Sequence, residues 1–178
     1  MLKRGRRSRR LLTTGDAVAG RLTGTVRSLD APDGDGRLVV WRTLLAEQAR
    51  EAIVAHGLRQ RTTAVLVGTG DPAPAGGVFR SVEQPLVSGN AVVFLGRVTG
   101  RGGAPGLFAV PSEVQPGENA GPPAVVEVLG PGAVLDSQDT RVRGIVGFDA
   151  NRAGQVVASV ETTGLQGPAA VVTSPALP

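Results

Sequence analysis

Apolar runs of four to seven residues, rich in Val, Leu and Ala, alternate along the chain with short clusters of Gly, Pro, Asp and Asn. Thr63–Val67, Val92–Val98, Leu107–Val110 and Val142–Phe148 are too short for helices of ordinary length, and turn-forming residues bound them, so they are expected to be strands. Pro72 and Pro74 fix φ and lack an N–H, which makes Gly70-Asp71-Pro72-Ala73-Pro74 a turn. In Val78–Gln84 the residues Val78, Arg80 and Val82 share one face and Phe79, Ser81 and Glu83 the other, an imperfect alternation that still permits a strand. Arg101-Gly102-Gly103-Ala104-Pro105-Gly106 reads as the hairpin loop between the two strands that flank it.

The pattern recurs. Leu11-Leu12-Thr13-Thr14-Gly15-Asp16 returns as Val65-Leu66-Val67-Gly68-Thr69-Gly70-Asp71, with the Gly-Asp pairs 55 residues apart. Gly36-Arg37-Leu38-Val39-Val40-Trp41 returns 53 residues later as Gly89-Asn90-Ala91-Val92-Val93-Phe94. A looser third copy has Val125–Gly132 where the Gly-Asp turn stands and Asn151–Ala158 in the turn-and-strand position. The expected organisation is a basic flexible arm over 1–9 followed by β units at 10–61, 62–121 and 122–178. Each unit is read as a four-stranded antiparallel meander, twelve strands in all. The strands are Arg10–Thr13, Thr25–Leu29, Leu38–Leu44 and Ala52–Val54; then Thr63–Val67, Val78–Gln84, Val92–Val98 and Leu107–Val110; then Val125–Leu129, Val142–Phe148, Val156–Glu161 and Ala169–Thr173. One segment opposes this: Leu44–Gly57 is made of strong helix formers, with Thr43 as an N-cap and Gly57 as a stop. The recurrence puts a hairpin tip at Glu47–Glu51 instead, and the all-β reading follows it, with room for a helical turn at the tip.

Composition narrows the chemistry. The 178 residues hold 26 Gly and 13 Pro, which disfavours a mostly helical chain. With no Cys, disulfides, thiolate metal sites and cysteine nucleophiles are excluded; with one His, His56, so are multi-histidine metal centres. Five aromatics (Trp41, Phe79, Phe94, Phe108, Phe148) leave a core of mostly Val, Leu and Ala. The formal charge of +4 belongs to the N-terminus: Lys3, Arg4, Arg6, Arg7, Arg9 and Arg10 carry no acid among them, and residues 11–178 hold 13 Arg against 15 carboxylates. Such an arm is normally solvated, and nucleic acid or anionic lipid is expected as a partner only through it. Ser8–Leu12 and Ala17–Ala19 echo a twin-arginine export signal and its cleavage site, but Thr13-Thr14-Gly15-Asp16 between them is too polar and too short for the apolar stretch such signals need. No apolar run approaches the roughly 18 residues that span a bilayer as a helix.

Thr14-Gly15-Asp16, Thr69-Gly70-Asp71-Pro72-Ala73-Pro74 and Asn151-Arg152-Ala153-Gly154-Gln155-Val156-Val157-Ala158-Ser159 together resemble the tandem NxxGxxAF repeat proteins of bacteria. In that family Gly-Asp-Pro turns alternate with an Asn-x-x-Gly turn leading into a strand. The similarity spans nearly all of residues 10–173. Asn151 and Gly154 keep the named motif, Asp33 and Gly36 replace it in the first unit, Ser88-Gly89-Asn90 blurs it in the second, and its Ala-Phe end is Val157-Ala158 here. The resemblance implies propeller-like β repeats, here a partial or open propeller, in secreted or envelope-associated proteins without an assigned activity.

The candidate sites divide into turns and chemistry. Gly68-Thr69-Gly70-Asp71-Pro72-Ala73 fits a dinucleotide-binding GxGxxA, but Pro72 and Pro74 forbid the helix it needs. Asp30, Asp33 and Asp35 hint at calcium, yet no frame supplies the acidic ligand at the loop's end, so a turn is expected. Asp16 and Asp71, with Glu83, are conceivable as paired carboxylates for glycoside hydrolysis; because Asp16 and Asp71 occupy equivalent positions they are read as turn-formers. His56 is expected to be a solvated loop residue without a nucleophile elbow to serve. Arg141 and Arg143 face one side of a strand, toward solvent or an anion. No catalytic, cofactor-binding or metal residue and no cofactor is therefore assigned.

Three four-stranded units fall short of the roughly four to eight blades of closed propellers. An open stack leaves unpaired edges and apolar surface, so self-association or further repeats are expected. The expected function is a noncatalytic scaffold or interaction module that contacts a protein or glycan through the loops around Glu47–Glu51, Arg101–Gly106 and Gly164–Gly167. The alternative is a piece of a propeller enzyme acting on carbohydrates or lactones.

Overall fold

Short apolar runs between Gly, Pro and Asp become strands throughout, and no helix occurs among the described residues. The structure, a computed structural model, describes residues 10–18, 22–47, 49–113, 124–135, 139–163 and 169–173. The 1–9 arm, the Gly164–Gly167 loop and parts of the export-like segment (Ser8, Arg9 and Ala19) lie outside them. The strands are β1 (Ala17–Val18), β2 (Gly24–Leu29), β3 (Asp33–Gly34), β4 (Leu38–Leu45), β5 (Arg50–Gly57), β6 (Thr62–Gly68), β7 (Phe79–Ser88), β8 (Ala91–Val98), β9 (Gly106–Pro111), β10 (Val126–Leu129), β11 (Val142–Ala150), β12 (Val156–Thr162) and β13 (Ala169–Thr173). They form three antiparallel sheets: β1-β2-β4-β5-β6 with β3 also on β4, then β10-β9-β8-β7, then β11-β12-β13. The first sheet curls into a half-barrel.

Eleven of the expected strands coincide with observed ones. Arg10–Thr13 does not: it lies in no strand. Leu44–Gly57 is a hairpin, β4 pairing with β5 from Leu45 opposite Arg50 to Leu38 opposite Gly57. β4 runs to Leu45 and β5 begins at Arg50, so Arg50 and Glu51 belong to a strand and not to the tip expected over Glu47–Glu51, and Ala49 turns the chain with φ of 47°. Ala52, Ile53, Val54 and Ala55 are all fully buried. A strand covered on both faces carries no polar alternation, and burial there outweighs the small helix preference of Ala and Glu.

Sheet membership does not follow the sequence units. β6 opens the second stretch of sequence but bonds to β5 in the first sheet, and β10 opens the third but bonds to β9 in the second. The chain makes the same turn three times, once before each sheet. Gly15, Gly70 and Gly132 have φ of 90°, 92° and 90°. Their N–H groups donate to the carbonyls of Val26, Phe79 and Val142 at 2.8, 2.9 and 2.7 Å. The next residues, Asp16, Asp71 and Ala133, donate to Thr13, Gly68 and Gly130 and accept from Val26, Phe79 and Val142. Each turn then leads into antiparallel pairing, Ala17 with Thr25, Pro72 with Val78 and Val134 with Arg141. Only glycine adopts that φ without crowding its Cβ, which accounts for the recurrence.

The core lies between the sheets. Leu38, Val40, Ile53 and Val67 of the first sheet pack on Phe79, Val82, Val92, Phe94 and Phe108 of the second. The opposite face of the second sheet (Ala91, Val93, Leu95, Leu107, Ala109) packs on Val142, Ile145, Val156, Ala158 and Val160 of the third. The first sheet fills its own concave side with Val26, Trp41, Leu45 and Val54. Phe79 meets Phe108 edge-on at 5.0 Å and lies 5.6 Å from Phe94, geometries that favour ring quadrupoles. Gly96 makes room for them: a Cβ there would lie 2.8 Å from Phe79 and 3.1 Å from Phe108.

Gly132→Ala adds a methyl group into open space at φ of 90°, whereas Gly147→Ala adds one into open space at an ordinary φ. Chemical denaturation is expected to show a loss of about 1–2 kcal/mol for the first, from left-handed strain, and almost none for the second.

Candidate functional site

The ladders of the first and second sheets are each interrupted at a proline, and the interruptions converge. Pro32 and Pro85 have no N–H to give to a ladder, so the pairing with the neighbouring strand lapses at each. In the first sheet, 30–32 separate β2 from β3, with Asp30 N donating to Arg42 O at 3.0 Å. In β7 the register shifts between Glu83 and Leu86, with Gln84 at φ of 50°. These breaks, together with Phe148 of β11, enclose a cleft of about 410 Å³ lined by Asp30, Ala31, Pro32, Asp33, Gln84, Pro85, Leu86 and Phe148. All three sheets contribute to it. Sequence reasoning missed this cleft, although a signal was present: Pro32 and Pro85 are 53 residues apart, the same offset as Gly36 and Gly89.

The cleft's two carboxylates are already engaged. Asp30 Oδ2 accepts from Arg42 Nη1 at 2.7 Å, and Arg42 Nη2 donates to Glu51 Oε1 at 2.6 Å. Glu51 Oε2 in turn accepts from Val82 N at 3.2 Å, which ties the first sheet to the second. Burial works against the Arg42 charge, but hydrogen bonds and attraction from Asp30 and Glu51 outweigh it and raise the guanidinium pKa further. Asp33 Oδ2 accepts from Val87 N at 2.7 Å, a second link between these sheets. Arg37 adds a third, donating to Gly89 O at 2.6 Å and Asn90 Oδ1 at 3.3 Å. Ser88 Oγ donates to Asn151 O at 3.1 Å and so carries the stitching on to the third sheet.

The acids singled out as possible catalytic pairs do not converge. Asp16 Oδ2 accepts from Thr13 N at 2.9 Å and Asp71 Oδ2 from Gly68 N at 2.8 Å, each inside its own turn. Ala133 holds the third equivalent position and has no side chain for this bond. Glu83 lies on β7, 4.0 Å from Arg97. No helix follows Gly68–Ala73, and no cluster of three metal-ligating side chains occurs among the described residues. Asp35, rather than Asp33, fills the role of Asn151. Asp35 Oδ1 accepts from Arg37 N and Leu38 N, as Asn151 Oδ1 accepts from Ala153 N and Gln155 N, and Gly36 and Gly154 follow at φ of 87° and 85°.

His56 is not a solvated loop residue. It sits on β5 at 5% exposure, with Nδ1 2.8 Å from Thr63 Oγ1 on β6, because the hairpin continues past the expected end at Val54. Arg141 pairs with Asp139 at 2.6 Å, while Arg143 is exposed on the side of β11 opposite buried Val142. Of the expected contact loops, the first is fastened to the fold, Glu47 Oε2 accepting from Thr25 N at 2.7 Å, and hydrogen bonds from Thr25 hold the Glu47 carboxyl below the usual carboxylate range. In the second, Arg101 pairs with Glu127 of β10. No helix among the described residues is long and apolar enough to cross a membrane. No family model, no curated protein and no solved structure matches the chain.

Asp71 is 3% exposed, whereas the Asp16 side chain is one-third exposed. Asp71→Ala is therefore expected to cost about 2 kcal/mol in denaturant unfolding, because the Gly68 N–H loses a buried charged acceptor, and Asp16→Ala about 1 kcal/mol or less. Burial pushes the Asp35 carboxyl up, but bonds from Arg37 N, the Arg37 guanidinium and Leu38 N together hold it below the usual range. Its stabilisation is present above the unfolded value of about 3.9 and disappears as pH falls through the lower folded value. Thermal melts between neutral pH and pH 3 should accordingly show a shallower acid-side decline for Asp35→Asn than for the wild type.

Proposed function

We propose that the chain is a noncatalytic module of repeated β units, its sheets arranged as successive blades of an open propeller, serving as a scaffold or interaction surface. The observation that carries this reading is the thrice-made turn at Gly15, Gly70 and Gly132, together with the use to which the acids are put. Asp16, Asp71, Asp33, Asp35 and Glu51 all accept backbone N–H groups. A feature that recurs in every unit serves the architecture, and a carboxylate held by a backbone donor is poorly placed to exchange protons with a substrate.

The surfaces available for contact are the hairpin loops, notably Arg101–Gly106, and the outer side of the third sheet, where Val146 and Val157 are 60% and 45% exposed. A place among secreted or envelope proteins of bacteria rests on the resemblance to NxxGxxAF repeats alone, and a protein or glycan is the class of ligand such a module takes.

The second reading, a propeller enzyme acting on carbohydrates or lactones, is favoured by the cleft and by the presence of Asp30 and Asp33 at its wall. The two readings separate on turnover. With chromogenic glycosides and lactones as substrates, the purified chain is expected to show no hydrolysis above background. Hydrolysis that disappears in both Asp30→Asn and Asp33→Asn, with unchanged melting, would establish the enzyme and end the scaffold reading.

A further inference from the structure

The first and second sheets each finish on a strand that runs straight into a glycine turn, β6 before Gly70 and β10 before Gly132. The residue three before the glycine lies opposite a defined partner: Val67 opposite Ile53, and Leu129 opposite Leu107. Arg10–Thr13 runs into Gly15 in the same way, with Leu12 three residues before it, yet this segment belongs to no strand. Its side chains are nevertheless placed like those of β6 and β10. Leu11 and Leu12 pack against the far apolar face of the first sheet, as Leu66 and Val67 pack toward the second sheet and Val126, Val128 and Leu129 toward the third. Arg10–Thr13 thus has the position of a final strand whose sheet is elsewhere.

Among the described residues the third sheet has the complementary gap. It stops at β13, which among the described residues pairs with β12 alone. The register identifies the position that the missing strand would meet. Trp41, Phe94 and Ala158 each point back along the stack and lie opposite Val54, Phe108 and Val171. One residue earlier on those partner strands stand Ile53, Leu107 and Ala170. Ala170 is therefore the counterpart of the two residues that receive Val67 and Leu129.

Residues 10–13 of the same chain do not fill this gap. The second sheet supplies residues to both inter-sheet clusters, so the first and third sheets lie on its opposite sides, and the cluster that holds Leu11 and Leu12 contains no residue of the third. We propose that two copies of this chain close on each other: residues 10–13 of each copy add to β13 of the other as a fourth antiparallel strand, Leu12 opposite Ala170, giving one ring of six sheets. This rests on the reading of the sheets as successive copies of one unit. Six falls within the roughly four to eight blades that close stably.

Because the chain has no Cys, engineered pairs report without background. Residues directly opposite in antiparallel strands have Cα atoms about 4.5–5.5 Å apart, within reach of a disulfide. Under mild oxidation, Leu12→Cys/Ala170→Cys is expected to form an intermolecular bond, with peptide mapping linking residue 12 to residue 170, while Leu12→Cys/Val157→Cys, aimed at the central strand β12, does not. Light scattering of the unmodified chain should give twice 18.1 kDa. A monomeric mass, a bond formed within one chain, or equal crosslinking of the Val157→Cys pair overturns the exchange. None of these results touches the repeat-module reading, which stands or falls on the turnover assay.

Discussion

The chain enters each sheet by reversing at a residue whose backbone is left-handed, a conformation that any Cβ strains even where the surrounding space is open. Gly15, Gly70 and Gly132 meet that constraint with nearly the same φ and the same three backbone bonds. Everything downstream depends on it. The turn sets the distance between a sheet's last strand and the first strand of the next, and that distance lets the apolar faces of the second sheet fill against both neighbours. Val, Leu and Ala then suffice for a core, because a sheet covered on both faces buries side chains along every strand rather than along alternate ones.

The polar residues extend the same principle. Asp16 and Asp71 close their own turns, Asp35 and Asn151 shape the hairpins, and Asp33, Arg37 and Ser88 reach from one sheet to the next. Nearly all of this bonding runs between side chain and backbone. The cleft forms where the three sheets come together because Pro32 and Pro85 break the ladders of two of them at matching places, so its wall is a by-product of strand curvature as much as a feature of its own.

Much of this was legible in the amino-acid order. Period and punctuation located most of the strands, and the spacing of the Gly-Asp pairs located two of the three turns by letter and the third by position. The errors fell where local signals were ambiguous. Leu44–Gly57 is not one of them: Ala, Glu, Leu and Arg favour a helix there, but the recurrence of the pattern pointed to a hairpin and β4 pairs with β5 as one, with only its tip displaced. His56 reads as a loop residue because the fit between β5 and β6 is not a local property. Asp33 and Asp35 differ by two positions in a string of similar residues, and only the neighbouring sheet, which brings Val87 N to Asp33, separates a cross-link from a turn.

The order of residues alone therefore determined the all-β character, the turn chemistry and the exclusion of thiol and multi-histidine sites, since these depend on φ preferences, hydrogen-bond capacity and composition, which each residue carries with it. Tertiary structure decided which strand joins which sheet, that β6 and β10 belong with the strands before them, that the three sheets share one cleft, and which carboxylates are held by backbone donors. Those outcomes depend on pairings between residues far apart in the chain, where the energy lies in burial and register and no single stretch of sequence contains it.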